Sequence, residues 1–121
     1  MIARKLFTRL TTHPELAALI GLRAYPMLLP QKPTLPALTY RKISDTGLAQ
    51  TAAVHRDRYQ ISMFDRTYEG VQSVAAAAQL ALEKWVETNV RSTYKINHID
   101  LYDSDTDVYI VLADYSMIIS D

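Results

Sequence analysis

The acidic run Asp103-Ser104-Asp105-Thr106-Asp107 is the sharpest chemical candidate in the chain. Asp103, Asp105 and Asp107 occupy the first, third and fifth places of a calcium loop of the EF-hand kind, and Asp114 falls at the twelfth. Val108 stands where such a loop needs glycine for its sharp turn, and an aspartate replaces the longer bidentate glutamate. The residues that follow are strand-like. Asp103 to Asp107 therefore read as a solvated hairpin turn, with a cation site as the alternative. His13, His55 and His98 lie far apart, and none has a carboxylate or second histidine at helical ligand spacing. His98 alternates within a strand beside Asp100, which points to a surface pair. Nucleophile elbow, phosphate-binding glycine loop and dinucleotide fingerprint are all absent from the sequence. With no cysteine, disulfides, thiolate zinc sites and a cysteine nucleophile are excluded. No enzyme activity, metal or cofactor is expected.

His55-Arg56-Asp57-Arg58 is the most charged stretch, and with Tyr59 and Arg41-Lys42 it resembles a strand surface able to touch RNA. Cross-strand charge pairs on the wet face of adjacent strands account for it better, because 13 basic and 13 acidic side chains balance. A small nucleic-acid-binding α+β module stays as the alternative function. The basic start, Arg4 and Lys5, leads into no apolar run of signal-peptide length, and no stretch is long enough to span a bilayer. The 121 residues fit a single domain, 1–121, with room for one modest core.

Elements to position these groups follow from punctuation and period. Pro14, Pro26, Pro30, Pro33 and Pro36 all fall in the first third, so residues 26–36 form a stiff extended link. Before it, Ile2, Leu6, Phe7 and Leu10 recur at helical spacing over 2–11. A second short helix spans 14–20, capped by Thr12, opened by Pro14 and stopped by Gly21. Residues 22–26 read as a short strand or an extended lead into the link. Residues 37–44 form a strand, Asp45 to Ala53 a polar loop, and 54–65 a strand in which Tyr59, Ile61 and Met63 alternate with Arg58, Gln60 and Ser62. The clearest helix runs from Thr67 to Asn89, with an apolar face from Tyr68 through Val74, Ala78 and Leu82 to Val86 and four successive alanines. Strands 94–102 and 108–119 close the chain as a hairpin. The fold class is α+β: an antiparallel four-stranded sheet packed by one long helix, with short N-terminal helices. The last strand is apolar on both faces, Tyr109, Val111, Ala113 and Tyr115 on one, Val108, Ile110 and Leu112 on the other. Its second face asks for an oligomer partner or a second helix.

His13-Pro14-Glu15-Leu16-Ala17-Ala18-Leu19-Ile20-Gly21, then Arg23-Ala24-Tyr25-Pro26, Leu29-Pro30-Gln31 and Leu35-Pro36-Ala37-Leu38-Thr39-Tyr40, resemble the family of small phage tail completion proteins, the tail terminators of long-tailed phages. Arg58-Tyr59-Gln60-Ile61-Ser62-Met63-Phe64 and the helix from Tyr68 resemble that family's second strand and main helix. The likeness covers nearly the whole chain and rests on structural residues.

The resemblance implies a homo-oligomeric ring, a hexamer, at the head-proximal end of the virion tail, assembled in the host cytoplasm. Such a ring caps the tail tube protein, stops its polymerisation and docks to the head connector, or stopper, protein. DNA passes through the lumen without specific binding, and no membrane is involved. Contact residues are expected in the loop, at Asp45, Thr46, Gly47 and Leu48, and on the exposed sides of the strands, at Arg56, Arg58, Tyr109 and Tyr115.

Overall fold

A computed structural model describes residues 2–48 and 53–120. In chain order the elements are α1 (Ile2–Thr12), α2 (Pro14–Ile20), β1 (Ala24–Pro26), β2 (Ala37–Gly47), β3 (Val54–Asp65), α3 (Tyr68–Leu82), β4 (Val90–Asp103) and β5 (Val108–Ser120). The α+β class holds, with a different sheet. Five strands stand in the order β1-β2-β3-β5-β4, and β1 lies parallel to β2 while the other pairs are antiparallel. Three residues, Ala24–Pro26, thus add a parallel strand to the four antiparallel ones, and three helices rather than one build the other layer.

Local chemistry explains the boundaries. Pro14 opens α2, and Gly21 ends it with φ 58, a left-handed turn that glycine adopts without steric penalty. The N-cap is His13, not Thr12, and its side chain makes no capping bond. Thr67 caps α3, its hydroxyl accepting the Gly70 amide at 2.9 Å. The helix stops at Leu82, seven residues before Asn89. Glu83 is extended, Lys84 takes φ 62, and the Lys84 amide turns away to the Thr93 carbonyl at 2.8 Å. Trp85 is buried in the core from this returning segment, so its place in the helical period comes from the sheet side, while Val86 faces solvent. The polar stretch after Ser44 is also shorter as a loop than its composition indicates: Asp45, Thr46 and Gly47 pair with Asp57, Arg56 and His55 as ladder residues. Residues 49–52 of that loop lie outside the described residues.

The core joins Leu6, Leu10, Leu16 and Ile20 of the first two helices to Val71, Val74, Ala78 and Leu82 of α3 and to Val111, Ala113, Tyr115, Met117 and Ile119 of β5. Ala75, Ala77, Ala78 and Ala81 are all buried, and small side chains there let α3 lie close on β3 and β5. Arg9 Nε donates to the Ala81 carbonyl at 2.6 Å, and Lys5 Nζ to the Thr88 carbonyl at 2.7 Å, pinning α1 to the end of α3 and the turn beyond it. All three helices contribute to this one cluster, so among the described residues the opposite face of the sheet carries no helix. The link between β1 and β2, whose Leu35–Pro36 peptide is cis, crosses one corner of that face.

Candidate functional site

The helix-free face is organised in rows set by strand register. One row runs Ala37, Phe64, Ile110, Leu101 and the next Thr39, Ser62, Leu112, Ile99. Ile99 and Leu101 are 43% and 46% exposed, so both rows end in apolar residues at the outer edge of β4. A third row is polar and continuously hydrogen-bonded. The Arg41 guanidinium donates to Gln60 Oε1 at 3.1 and 3.3 Å, Gln60 Nε2 donates to Asp114 Oδ1 at 3.1 Å, and Arg58 donates to Asp114 Oδ2 at 2.6 Å. These are the cross-strand pairs expected from the mixed charges. Beneath the proline link, Leu29, Pro30, Leu35, Phe64, Val108 and Ile110 line a groove of about 510 Å³.

At both sides the sheet ends in unpaired backbone. β4 pairs with no strand but β5 among the described residues, and only its start, from Val90 to Lys95, is bonded on the outer side by Glu83, Lys84 and Glu87, while β2 is covered by β1 only at Leu38–Tyr40. Beyond Tyr40 the outer side of β2 is exposed through Gly47. Long open edges are templates for pairing with another chain.

The expected contact residues fall in three places. Asp45, Thr46, Gly47 and Leu48 come together with Arg56 at the distal end of the β2–β3 ladder, Thr46 opposite Arg56 and the Leu48 amide on the Val54 carbonyl. Arg58 lies on the helix-free face, held by Asp114. Tyr109 is at the other end of β5, half-buried between Tyr68 (ring centroids 6.2 Å apart) and Tyr102 (4.8 Å). Tyr115 does not belong to a surface: its side chain is fully buried in the core, because that face of β5 lies under the helices. Burial, and after it the charge of Glu83, drives its phenol pKa far upward.

Two acidic motifs resolve differently. In the β4–β5 turn, Asp103 accepts the Asp105 amide at 3.1 Å and the Thr106 hydroxyl at 2.8 Å, and Tyr102 donates to Asp107, which takes φ 58. These bonds build the turn that the composition indicates. The His98–Asp100 pair also forms, at 2.8 Å. Gln72 donating to Asp100, then His98 and Tyr68, hold that carboxyl below the usual carboxylate range.

A third cluster escaped sequence reasoning. On the helix side of the β2–β3 ladder, His55 Nδ1 lies 2.7 Å from Asp57 Oδ1 and 3.2 Å from Asp45 Oδ1. Lys42 Nζ lies 3.3 Å from Asp45 Oδ2 and 3.7 Å from Asp57 Oδ2. Burial alone would lower the Lys42 pKa, but Asp57 and Asp45 outweigh it and hold the ammonium above its ordinary value. Burial likewise raises the phenols of Tyr40 and Tyr59 alongside. His55 and Asp57 stand two apart on one strand, a spacing that places both on one face; a search at helical spacing passes over it.

Comparison with known proteins adds family and fold. The sequence matches the family described as Tail completion protein gp17 over residues 4–120. No curated protein matches it. Among solved structures, a chain in the virion of a native gene transfer agent (GTA) particle superposes with a TM-score of 0.79 at 16% identity, over 96% of this chain and 92% of that one. At that identity the likeness is one of fold.

Proposed function

The chain belongs to the tail completion protein family and is a structural protein of the virion tail, and from that premise we propose that it forms a homo-oligomeric ring, a hexamer, capping the head-proximal end of the tail tube. The ring stops tube polymerisation and presents a docking surface to the head connector. Its action is one of shape: one side matches the last ring of the tube, the other offers no further match, and growth ends. The observation that carries this reading is the sheet open at both edges. The part of β4 beyond Lys95 stands open on one side and the uncovered half of β2 on the other, two different surfaces of one chain. Contacts between unlike surfaces are head-to-tail, and head-to-tail contacts that close make rings. The distal hairpin residues Asp45 to Leu48 with Arg56, Arg58 on the helix-free face and Tyr109 near the β4–β5 turn are proposed contact positions, whereas Tyr115 would act only by supporting the sheet from within. With 13 basic and 13 acidic side chains the ring has no excess positive charge to hold DNA passing through its lumen.

Native mass measurement across concentration, and electron microscopy of the protein mixed with purified tail tubes, test the proposal. Rings seated on one end of each tube are expected. Monomers at every concentration, with bare tube ends in the mixture, would refute it. Salt-sensitive binding to DNA or RNA by the same monomer would favour the nucleic-acid-binding module instead.

A further inference from the structure

Asp45 of β2 stands directly opposite Asp57 of β3 in the antiparallel ladder. Like charges in that relation repel and weaken a sheet. The Asp57 side chain is only 1% exposed, where an uncompensated charge is costlier still. A sheet keeps such a pair when a cation stands between the carboxylates. Lys42 fills that role in the chain itself, at 3.3 and 3.7 Å, but it sets one positive charge against two negative ones. His55 approaches the same carboxylates with Nδ1, at 2.7 and 3.2 Å, and the three ligand atoms lie within 4.8 Å of one another.

We infer that Asp45, His55 and Asp57 form a binding site for a divalent transition-metal ion of the zinc type, with Lys42 as its built-in competitor. One imidazole nitrogen and two carboxylate oxygens suit Zn²⁺ or Co²⁺ better than a soft ion or an all-oxygen ion such as calcium. Bonds of about 2.0–2.2 Å to a tetrahedral ion set ligand atoms roughly 3.3–3.6 Å apart. The present separations of 2.7 and 3.2 Å need to open by less than about 1 Å to reach them. Space is available. Gly47 faces His55 across the ladder without a side chain, and a Cβ built there meets nothing within 4 Å. Lys42, Asp45, His55 and Asp57 all line a concave surface of about 480 Å³, through which water can complete the coordination shell. The Lys42 side chain is 42% exposed, so its ammonium can swing out as the ion enters. A divalent ion in place of the lysine neutralises the two carboxylates with His55 bound as a neutral imidazole. This inference stands independently of ring formation.

Titration calorimetry with Zn²⁺, and visible absorption with Co²⁺, on the full chain test it. One ion per chain is expected. His55→Ala and Asp45→Asn should each weaken binding by about tenfold or more, and Lys42→Met should tighten it by about tenfold. His98→Ala, which removes the separate His98–Asp100 pair, should leave binding unchanged. Zn²⁺ should raise the Tm of the wild-type chain and leave that of His55→Ala in place. If His55→Ala fails to fold, Asp45→Asn carries the same comparison, since Asp45 is a half-exposed residue. No saturable binding up to about 1 mM, binding unaltered by His55→Ala or Asp45→Asn, or weaker binding in Lys42→Met would overturn the inference.

Discussion

Replacing Tyr115 by phenylalanine should stabilise the protein, and more so in alkali. The ring is fully buried in the core, opposite Tyr59 on one side and Lys95 on the other, and its hydroxyl has no hydrogen-bond partner among the described residues. An orphaned buried hydroxyl costs about 1–3 kcal/mol in desolvation. Its removal leaves a gap smaller than a methyl group, worth at most about 1 kcal/mol in lost packing. The net expectation for Tyr115→Phe is a gain of about 1 kcal/mol, or roughly 3–4 °C in Tm for a chain of this length. The pH dependence has a definite sign. Burial first, then the charge of Glu83, raise the phenol pKa in the folded chain above its ordinary value near 10. The folded state holds that proton more tightly than the unfolded state, so the associated stability is present below pH of about 10 and drains away as pH rises beyond it. Phenylalanine has no proton to lose, and the variant's advantage should widen between about pH 9 and 11. Urea unfolding followed by circular dichroism at several pH values measures both effects. A loss of stability above about 1 kcal/mol would refute the reasoning, because it would mean that the hydroxyl is satisfied in the folded chain.

At Gly70 a side chain has no room: a Cβ there meets the Thr67 hydroxyl at 2.7 Å and the Asp65 carboxylate closer still. Gly70→Ala gains about 1 kcal/mol in helix propensity but displaces the Thr67 cap and the Asp65 carboxylate, which accepts the Arg66 amide at 2.8 Å, a loss of about 2 kcal/mol together. It should therefore destabilise the wild-type chain by about 1 kcal/mol and stabilise an Asp65→Ala/Thr67→Ala background by a similar amount, as read by chemical denaturation. Arg58→Ala should cost about 1–2 kcal/mol, discounted for the half-exposed guanidinium, because it leaves the buried Asp114 carboxylate with Gln60 alone. Unchanged urea midpoints would show that Arg58 carries no structural role. Ile99→Lys with Leu101→Lys changes two side chains already exposed on the helix-free face, so stability should move by less than about 0.5 kcal/mol while self-association is lost in native mass measurements. Persistent rings in this double variant would remove the outer part of that face from the ring contact.

Punctuating residues made much of the fold legible. Pro14 and Gly21 bracket α2, Thr67 starts α3, and strict alternation from Arg58 to Met63 marks β3. β1 was harder to read because three residues carry no period, and their parallel pairing with β2 is a tertiary fact. The end of α3 was hidden by Trp85, an apolar residue in helical step that enters the core from a returning turn. The register shifts at Lys42/Ser44 in β2 and at Val90/Ser92 and Lys95/Asn97 in β4, so inward-facing residues change from even to odd numbers in β2 and from even to odd and back to even in β4. Neither strand therefore shows one clean alternation. Tyr115 read as a surface residue because both faces of β5 are apolar, and only the placement of the helices tells them apart. The Asp45–His55–Asp57 cluster depends on cross-strand register, which in a hairpin is set by the connecting turn and the shift before it.

The shifts at Lys42/Ser44 and Lys95/Asn97 adjoin one row of the sheet. Lys42, Tyr59, Tyr115 and Lys95 follow one another across the sheet, and each flanking strand gains its additional residue, Ile43 or Ile96, just past that line. The flanks thus carry more chain than the middle between the same two levels. A surface longer at its margins than along its midline cannot lie flat; it warps into a saddle, in keeping with the bend and added twist that bulges impose. Deleting either isoleucine would not merely shorten a strand. It would turn one quarter of the sheet inside out, sending Asp45 or Tyr102 to the opposite side while the central strands stayed as they were.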